Sequence, residues 1–106
     1  MNYATLRRIE TEERITAEVL KAISDVRASA EKLKVTESRV KLAEEALGQA
    51  KVKNGSGLIT DLDLLKADIG LSQAQLLHFQ ALHDYALYII SLKKSAGIMF
   101  WVYEVK

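Results

Sequence analysis

Apolar residues repeat every seven positions on both sides of one glycine-rich segment. A side chain at every seventh position returns to the same face of a helix, a pattern typical of helices that pack along their whole length. The segment between the two halves is Asn54-Gly55-Ser56-Gly57, where glycine permits the positive φ values of a chain reversal. Reversal at residues 55 and 56 pairs the following series, called the seam series below: Val19, Val26, Leu33, Val40 and Leu47 against Leu64, Leu71, His78, Tyr85 and Leu92, and Ala22, Ser29, Thr36 and Ala43 against Ala67, Ala74, Ala81 and Tyr88.

This pattern predicts an all-α fold, a long antiparallel two-helix coiled-coil hairpin. The whole chain, 1–106, is expected to be a single hairpin, with helix one over about 3–53, the tip at 54–60, and helix two over about 61–97 or beyond. The chain has no proline, which suits uninterrupted helices because proline in a helix interior costs about 3 kcal/mol. The aromatic C-terminal end, residues 98–106, is expected to pack over Tyr3, Leu6 and Ile9.

The charged residues are unevenly placed along the chain. Residues 1–53 carry 20 of the 29 charges, whereas the stretch from Ile69 to Leu92 carries only Asp84. A helix with so few charges is expected to be covered on more than one side. The sequence therefore predicts that the hairpin completes its core by oligomerisation or within a larger helical assembly. The apolar residues off the seam of the second helix are Ile69, Leu76, Phe79, Leu87 and Ile90.

Several classes of function have no support in the sequence. No cysteine is present and the net charge is +1, so neither thiol chemistry nor a general attraction to nucleic acid is indicated. No Ser-His-Asp set, glycine-rich phosphate loop or zinc-ligand spacing is found. We predict that the protein is not an enzyme and that it uses no cofactor or metal.

The two histidines are five positions apart, which separates them around a helix and disfavours a shared metal. His78 is expected to be a packed, hydrogen-bonded residue of the seam, opposite Leu33. The apolar stretch from Tyr85 to Tyr103 contains Lys93 and Lys94 in its middle, which disfavours a membrane span of roughly 20 apolar residues.

The start of the second helix carries a capping signal. Thr60 is followed three residues later by Asp63, so its hydroxyl is expected to accept a hydrogen bond from the Asp63 N–H. Asp61 and Asp63 lie in the first turn, where carboxylates favour the positive end of the helix dipole. A ring of Asp61, Asp63 and Asp68 from several chains around a cation is the alternative, which the capping role outweighs.

The same stretch resembles the periplasmic tip of the TolC-type outer-membrane efflux channel family. The family pattern Gly-x-x-Thr/Ser-x-x-Asp-x-Leu-x-Ala is met by Gly57, Thr60, Asp63, Leu65 and Ala67. The resemblance covers about Ile15 to Gly97, and its further elements are Gln73-Ala74-Gln75-Leu76, Asp84-Tyr85, and Leu92 with Ala96-Gly97.

The resemblance implies a non-enzymatic function. In that family a trimer contributes helical hairpins to a tunnel across the periplasm, and the tip docks against a periplasmic adaptor protein and closes the channel. By position, Asp63 corresponds to an acid of the pore entrance, whereas Lys66 stands where some members have a second acid. The adaptor-docking residues implied here are Gly55, Gly57, Leu58, Ile59, Thr60 and Asp61.

The resemblance also bears on partners and location. It implies a homo-oligomer on the periplasmic side of the outer membrane, with an efflux adaptor as partner and no membrane span in this chain. No signal-peptide pattern opens the sequence, so a complete product of this length is expected to be cytoplasmic. The alternative function is a soluble self-assembling helical scaffold or interaction module.

Overall fold

The computed structural model describes residues 2–104, with all their side chains except those of Val102 and Tyr103. Two helices account for nearly all of this part of the chain: α1 spans Tyr3–Gly55 and α2 spans Asp61–Glu104. The described residues contain no strand. The helices form a hairpin, which confirms the predicted all-α fold class.

The first helix extends slightly beyond its expected end, and the second, expected over about 61–97 or beyond, continues past residue 97. α1 ends at Gly55, two residues after the expected end, and α2 continues to Glu104. Gly55 is the last residue of α1 and keeps a helical conformation. The glycine with a positive φ is Gly57, at 76°. The reversal therefore lies at residues 56–60, slightly later than expected.

The hairpin divides into two compact units. The tip unit is Glu31–His83, and it contains the turn and the helical segments next to it. The second unit combines the residues up to Ala30 with those from Asp84. Each helix contributes one segment to each unit.

The buried core consists mostly of small side chains. Among the residues whose side chains are described, every buried position belongs to the predicted seam series except Ala50, and Ala50 lies seven residues after Ala43. None of the large side chains is fully buried in this part of the chain. Because these side chains are small, the seam removes little apolar surface from water for each residue of the two helices. The buried residues are Ser29, Thr36, Leu47, Ala50 and Ala81.

A side-chain hydrogen bond joins the two helices inside the tip unit. Thr36 Oγ1 lies 2.9 Å from His78 Nδ1, and it also lies 2.9 Å from the carbonyl oxygen of Lys32. When the hydroxyl donates to that carbonyl, its oxygen accepts from the Nδ1–H of His78, so both of these polar groups have partners. His78 is half-buried. The prediction of a packed, hydrogen-bonded histidine is confirmed.

The part of the aromatic end whose side chains are described does not pack as expected; the side chains of residues 102 and 103, and residues 105 and 106, lie outside the described part of the chain. Tyr3, Phe100 and Trp101 are 72%, 69% and 63% exposed, and Leu6 and Ile9 are also exposed. Because α2 remains helical through Glu104, its periodicity places Met99 in continuation of the seam and leaves Phe100 and Trp101 off it. Met99 is accordingly half-buried. The prediction that these aromatic residues cover Tyr3 was wrong.

The second helix keeps a row of exposed apolar side chains. We call this row the apolar face; its members are Ile69, Leu76, Phe79, Leu87 and Ile90, all of them about half exposed or more. Neither described helix combines the length and apolar character that crossing a membrane requires.

Candidate functional site

The tip begins with a Schellman motif at the end of α1. The Leu58 N–H donates to the carbonyl of Lys53 at 2.8 Å, and the Gly57 N–H donates to the carbonyl of Asn54 at 3.0 Å. Gly57 supplies the left-handed conformation that this motif needs. The sequence predicted a glycine reversal here, and the structure shows which of the two glycines performs it.

A capping box begins α2 immediately afterwards. The Asp63 N–H donates to Thr60 Oγ1 at 3.2 Å, and the Thr60 N–H donates to Asp63 Oδ2 at 3.3 Å. Two backbone donors at the helix start are thereby satisfied by side chains. The predicted Thr60 cap is confirmed, and the Asp63 carboxylate reciprocates it.

A third set of contacts connects the two helix ends directly. Asn54 Nδ2 donates to Asp61 Oδ1 at 2.8 Å and approaches the carbonyl oxygen of Ile59 at 3.4 Å. Asn54 lies in the last turn of α1, and Asp61 is the first residue of α2. We call the hydrogen-bonded pair Asn54 and Asp61 the clasp. The sequence analysis placed Asn54 in the turn but assigned its side chain no role, because nothing in the sequence shows that position 54 faces position 61.

The tip presents a mixed surface to solvent. Gly55, Gly57, Thr60, Asp61 and Asp63 are exposed, and Ile59 is half-buried. Leu58 is 75% exposed, although its side chain is apolar. The predicted docking residues and Asp63 lie from the end of α1 to the first turn of α2, and Leu58 is the most exposed of their apolar side chains.

An open cavity of about 420 Å³ lies next to the tip, between the two helices of the tip unit. Its walls combine apolar side chains with Lys51 and two carboxylates; the lining residues are Leu47, Lys51, Asp61, Leu64, Leu65 and Asp68. Lys51 was not among the predicted site residues, because nothing in the sequence shows that it lies beside Asp61 across the turn, and Asp68 was named only in the alternative cation ring. Within the described residues, no group of three or more potential ligands is arranged to hold a metal ion.

The sequence model of the outer membrane efflux protein family matches residues 3–98, which include both seams and the complete tip. The chain belongs to the outer membrane efflux protein family. No curated protein and no solved structure matches it.

The family match covers more of the chain than the motif resemblance does. It begins twelve residues before Ile15, where the noted resemblance starts, and it ends at residue 98, next to Gly97, where that resemblance stops. The exposed Phe100 and Trp101 lie outside it. The capping box and the Schellman glycine lie inside it, so the residues that shape the tip belong to the family segment.

Proposed function

We propose that this chain forms a helical-tunnel hairpin of an outer membrane efflux channel and contributes to the export duct on the periplasmic side of the outer membrane. The observation that carries the proposal is the coincidence of the family match with the hairpin, from residue 3 to residue 98. In this function the protein acts by its shape and its contacts, without catalysis. The family resemblance makes a trimeric channel the expected assembly.

The first component of the proposal is self-association. The seam of small residues leaves much apolar surface exposed, and the apolar face of α2 offers that surface along much of its length. Contiguous exposed apolar surface on a folded chain marks an interaction site. We therefore propose that the apolar face packs against further helices of the same protein.

Light scattering coupled to size-exclusion chromatography tests this component. We expect a defined homo-oligomer at micromolar concentration, together with helical circular dichroism. A stable, folded monomer over the same concentration range would contradict the proposal. It would show that the hairpin folds with the apolar face exposed to water and needs no second chain to cover it.

The second component is docking of a periplasmic adaptor at the tip, through Gly55, Gly57, Leu58, Ile59, Thr60 and Asp61. Three sets of hydrogen bonds hold this turn in one conformation, and a pre-organised surface loses less entropy on binding. Leu58 is an exposed apolar anchor at its centre. By family position Asp63 corresponds to an acid of the pore entrance. In this role its carboxylate would face the pore and also accept the hydrogen bond from the Thr60 N–H.

Capture of a periplasmic efflux adaptor on immobilised protein tests the docking component. We expect the Gly57→Leu/Asp63→Ala variant to lose capture, since it strains the left-handed residue and removes the reciprocal cap. Leu58→Ser provides a milder variant that changes the surface without changing the backbone, and it should also weaken capture. Ser38→Ala, an exposed change on α1 away from the tip, is the matched control and should leave capture intact.

The alternative is a self-assembling helical scaffold, which the same apolar face supports. The two functions differ in their dependence on the tip. A scaffold would assemble normally and show no adaptor capture, and the Leu58→Ser variant would behave as the parent protein in every assay. Unchanged capture by the double tip variant would likewise count against docking.

A further inference from the structure

The clasp residue Asn54 is followed by Gly55, and this pair has a chemical reactivity of its own. An asparagine side-chain amide is an electrophile for the backbone nitrogen of the next residue. Glycine in that next position has no side chain to obstruct the approach, and it allows the widest range of backbone conformations. The sequence contains one other asparagine, Asn2, which precedes the bulky Tyr3.

We infer that Asn54 is a site of spontaneous covalent modification, which the folded tip suppresses and whose product loosens the tip. The inference rests on the geometry of the turn and does not depend on the proposed function. In the first step the Gly55 nitrogen gives its proton to a solvent base and attacks Asn54 Cγ. A C–N bond forms, ammonia leaves, and a five-membered succinimide results.

Water then opens the succinimide ring at either of its two carbonyl groups. Cleavage of the new bond at Cγ gives an aspartate, and cleavage at the original backbone carbonyl gives an isoaspartate whose main chain passes through Cβ. Neither route oxidises or reduces any atom, and water is the co-reactant. Gly55 and Ser56 are exposed, so water reaches the site.

The folded structure opposes the first step in two ways. Gly55 is the last residue of α1, so its N–H belongs to the helical hydrogen-bond ladder and is not free to lose its proton or turn towards Cγ. The Asn54 amide is also held away from its own backbone by the bonds to Asp61 Oδ1 and the Ile59 carbonyl. Reaction therefore requires local opening of the end of α1.

The product is incompatible with the contacts that Asn54 makes. A carboxylate at position 54 has no hydrogen to donate, and it lies next to the Asp61 oxygen that the amide contacts at 2.8 Å. Two carboxylates at that distance repel each other. A negative charge in the last turn of α1 also opposes the helix dipole. Each conversion thus removes the clasp and favours further opening of the turn.

Peptide mapping by mass spectrometry tests the suppression. Native and urea-unfolded protein are incubated in the same mildly alkaline buffer, and the tryptic peptide 54–66, which contains no other amide side chain, is followed for replacement of NH₂ by OH. We expect modification of the native protein to be at least about tenfold slower, because it proceeds only through local opening. Equal rates in the two states would overturn the inference. An unincubated digest gives the background, and the peptide containing Asn2 is the internal control.

Three variants separate the chemistry from the structural protection. Gly55→Ala should slow the reaction in urea several-fold, and it should fold normally because an added Cβ meets nothing within 4 Å. Asp61→Ala and Gly57→Ala should leave the rate in urea unchanged and raise the native rate, since they remove the clasp acceptor and strain the residue at φ 76°, respectively. A native rate that is the same in both variants as in the parent would contradict protection by the turn.

The effect of the product is measured with Asn54→Asp, which places the aspartate product directly in the chain. We expect its Tm to fall by about 4 °C or more. The double variant Asn54→Asp/Asp61→Asn restores one donor and one acceptor with the partners exchanged, and it should recover most of this loss. An unchanged Tm for the single variant, or no recovery in the double variant, would show that conversion does not act through the clasp.

Discussion

At the scale of single residues, the contact between Thr36 and His78 is a polar connection within a seam that is otherwise largely apolar. It joins residues 42 positions apart, and Thr36 is only 4% exposed. A polar pair inside a helical seam favours one register, because a shift along the seam would take His78 Nδ1 away from the Thr36 hydroxyl oxygen. We therefore regard this bond as a determinant of register in the tip unit.

The contribution of this bond can be measured by removing the Thr36 hydroxyl. Thr36→Val keeps the shape of the side chain, leaves His78 Nδ1 without its partner, and should lower the free energy of unfolding by about 1–2 kcal/mol. The measurement is urea denaturation followed by circular dichroism. Thr36→Val/His78→Leu removes both polar groups, so it should be more stable than the single variant. A double variant that is less stable than Thr36→Val would argue against an isolated pair.

Gly57 and Gly48 should respond in opposite ways to the same substitution. Gly57→Ala places a Cβ in the left-handed region, at φ 76°, and should cost about 1 kcal/mol of stability. Gly48→Ala occurs within α1, where an added Cβ meets nothing within 4 Å, and should raise stability by about 0.5–1 kcal/mol. Thermal unfolding of both variants checks the signs. Destabilisation by Gly48→Ala would instead indicate that a neighbouring helix approaches this position in an assembly.

At the scale of elements, the turn shows how each helix end is completed by the segment beside it. The Schellman bonds satisfy carbonyl groups of α1, and the capping box satisfies N–H groups of α2. Asn54 then links the two elements through Asp61. The turn is short because these three sets of hydrogen bonds share the few residues from Lys53 to Asp63, and its conformation is therefore closely defined.

The start of α2 should depend on the Thr60 hydroxyl. Thr60→Ala removes the N-cap acceptor and should reduce the free energy of unfolding by about 1 kcal/mol. Thr11→Ala is the matched control, because the Thr11 hydroxyl donates to the Arg7 carbonyl within α1 and caps no helix end. Both variants are compared by urea denaturation. If the two substitutions cost the same, the capping box contributes nothing specific to the hairpin.

At the scale of the whole molecule, the described chain has more large apolar side chains than a single hairpin buries. The buried residues are few and mostly small, whereas many large apolar side chains are exposed along both helices. Exposed ion pairs do not compensate for this: Lys41 with Glu37 and Lys34 with Glu31, each at 3.7 Å, lie on the surface of α1, where such pairs contribute little.

The proposed self-association should depend on the apolar face of α2. Leu76→Gln/Ile90→Gln exchanges two exposed apolar side chains for polar ones and should shift the assembly towards smaller species at a given concentration, because less apolar area is removed from water on association. Leu42→Gln is the control, since it makes the same kind of change at a leucine of α1 that is 65% exposed. Light scattering gives the mass of each variant. An equal shift with Leu42→Gln would assign the interface to both helices.

The sequence by itself determined the hairpin, the seam and the capping of α2. These features rest on local rules: the period of seven, the conformational freedom of glycine, and the preference of threonine for an N-cap position. Leu47, Ser29, Thr36 and Ala81 are buried where the seam series placed them. The periodicity of α2 also explains why Phe100 and Trp101 are exposed, although the sequence analysis assigned them a packing role.

Only the tertiary structure decided which side chains meet across the hairpin. The Thr36–His78 bond and the Asn54–Asp61 clasp join residues on different helices, and their distances depend on the rotation and axial position of one helix against the other. A seven-residue repeat specifies the axial position of one helix against the other to about one helical turn. That uncertainty is larger than the length of a hydrogen bond. The same limit explains why the repeat identified the region of the reversal, whereas the structure was needed to show that Gly57 makes it and that Gly55 remains in the helix.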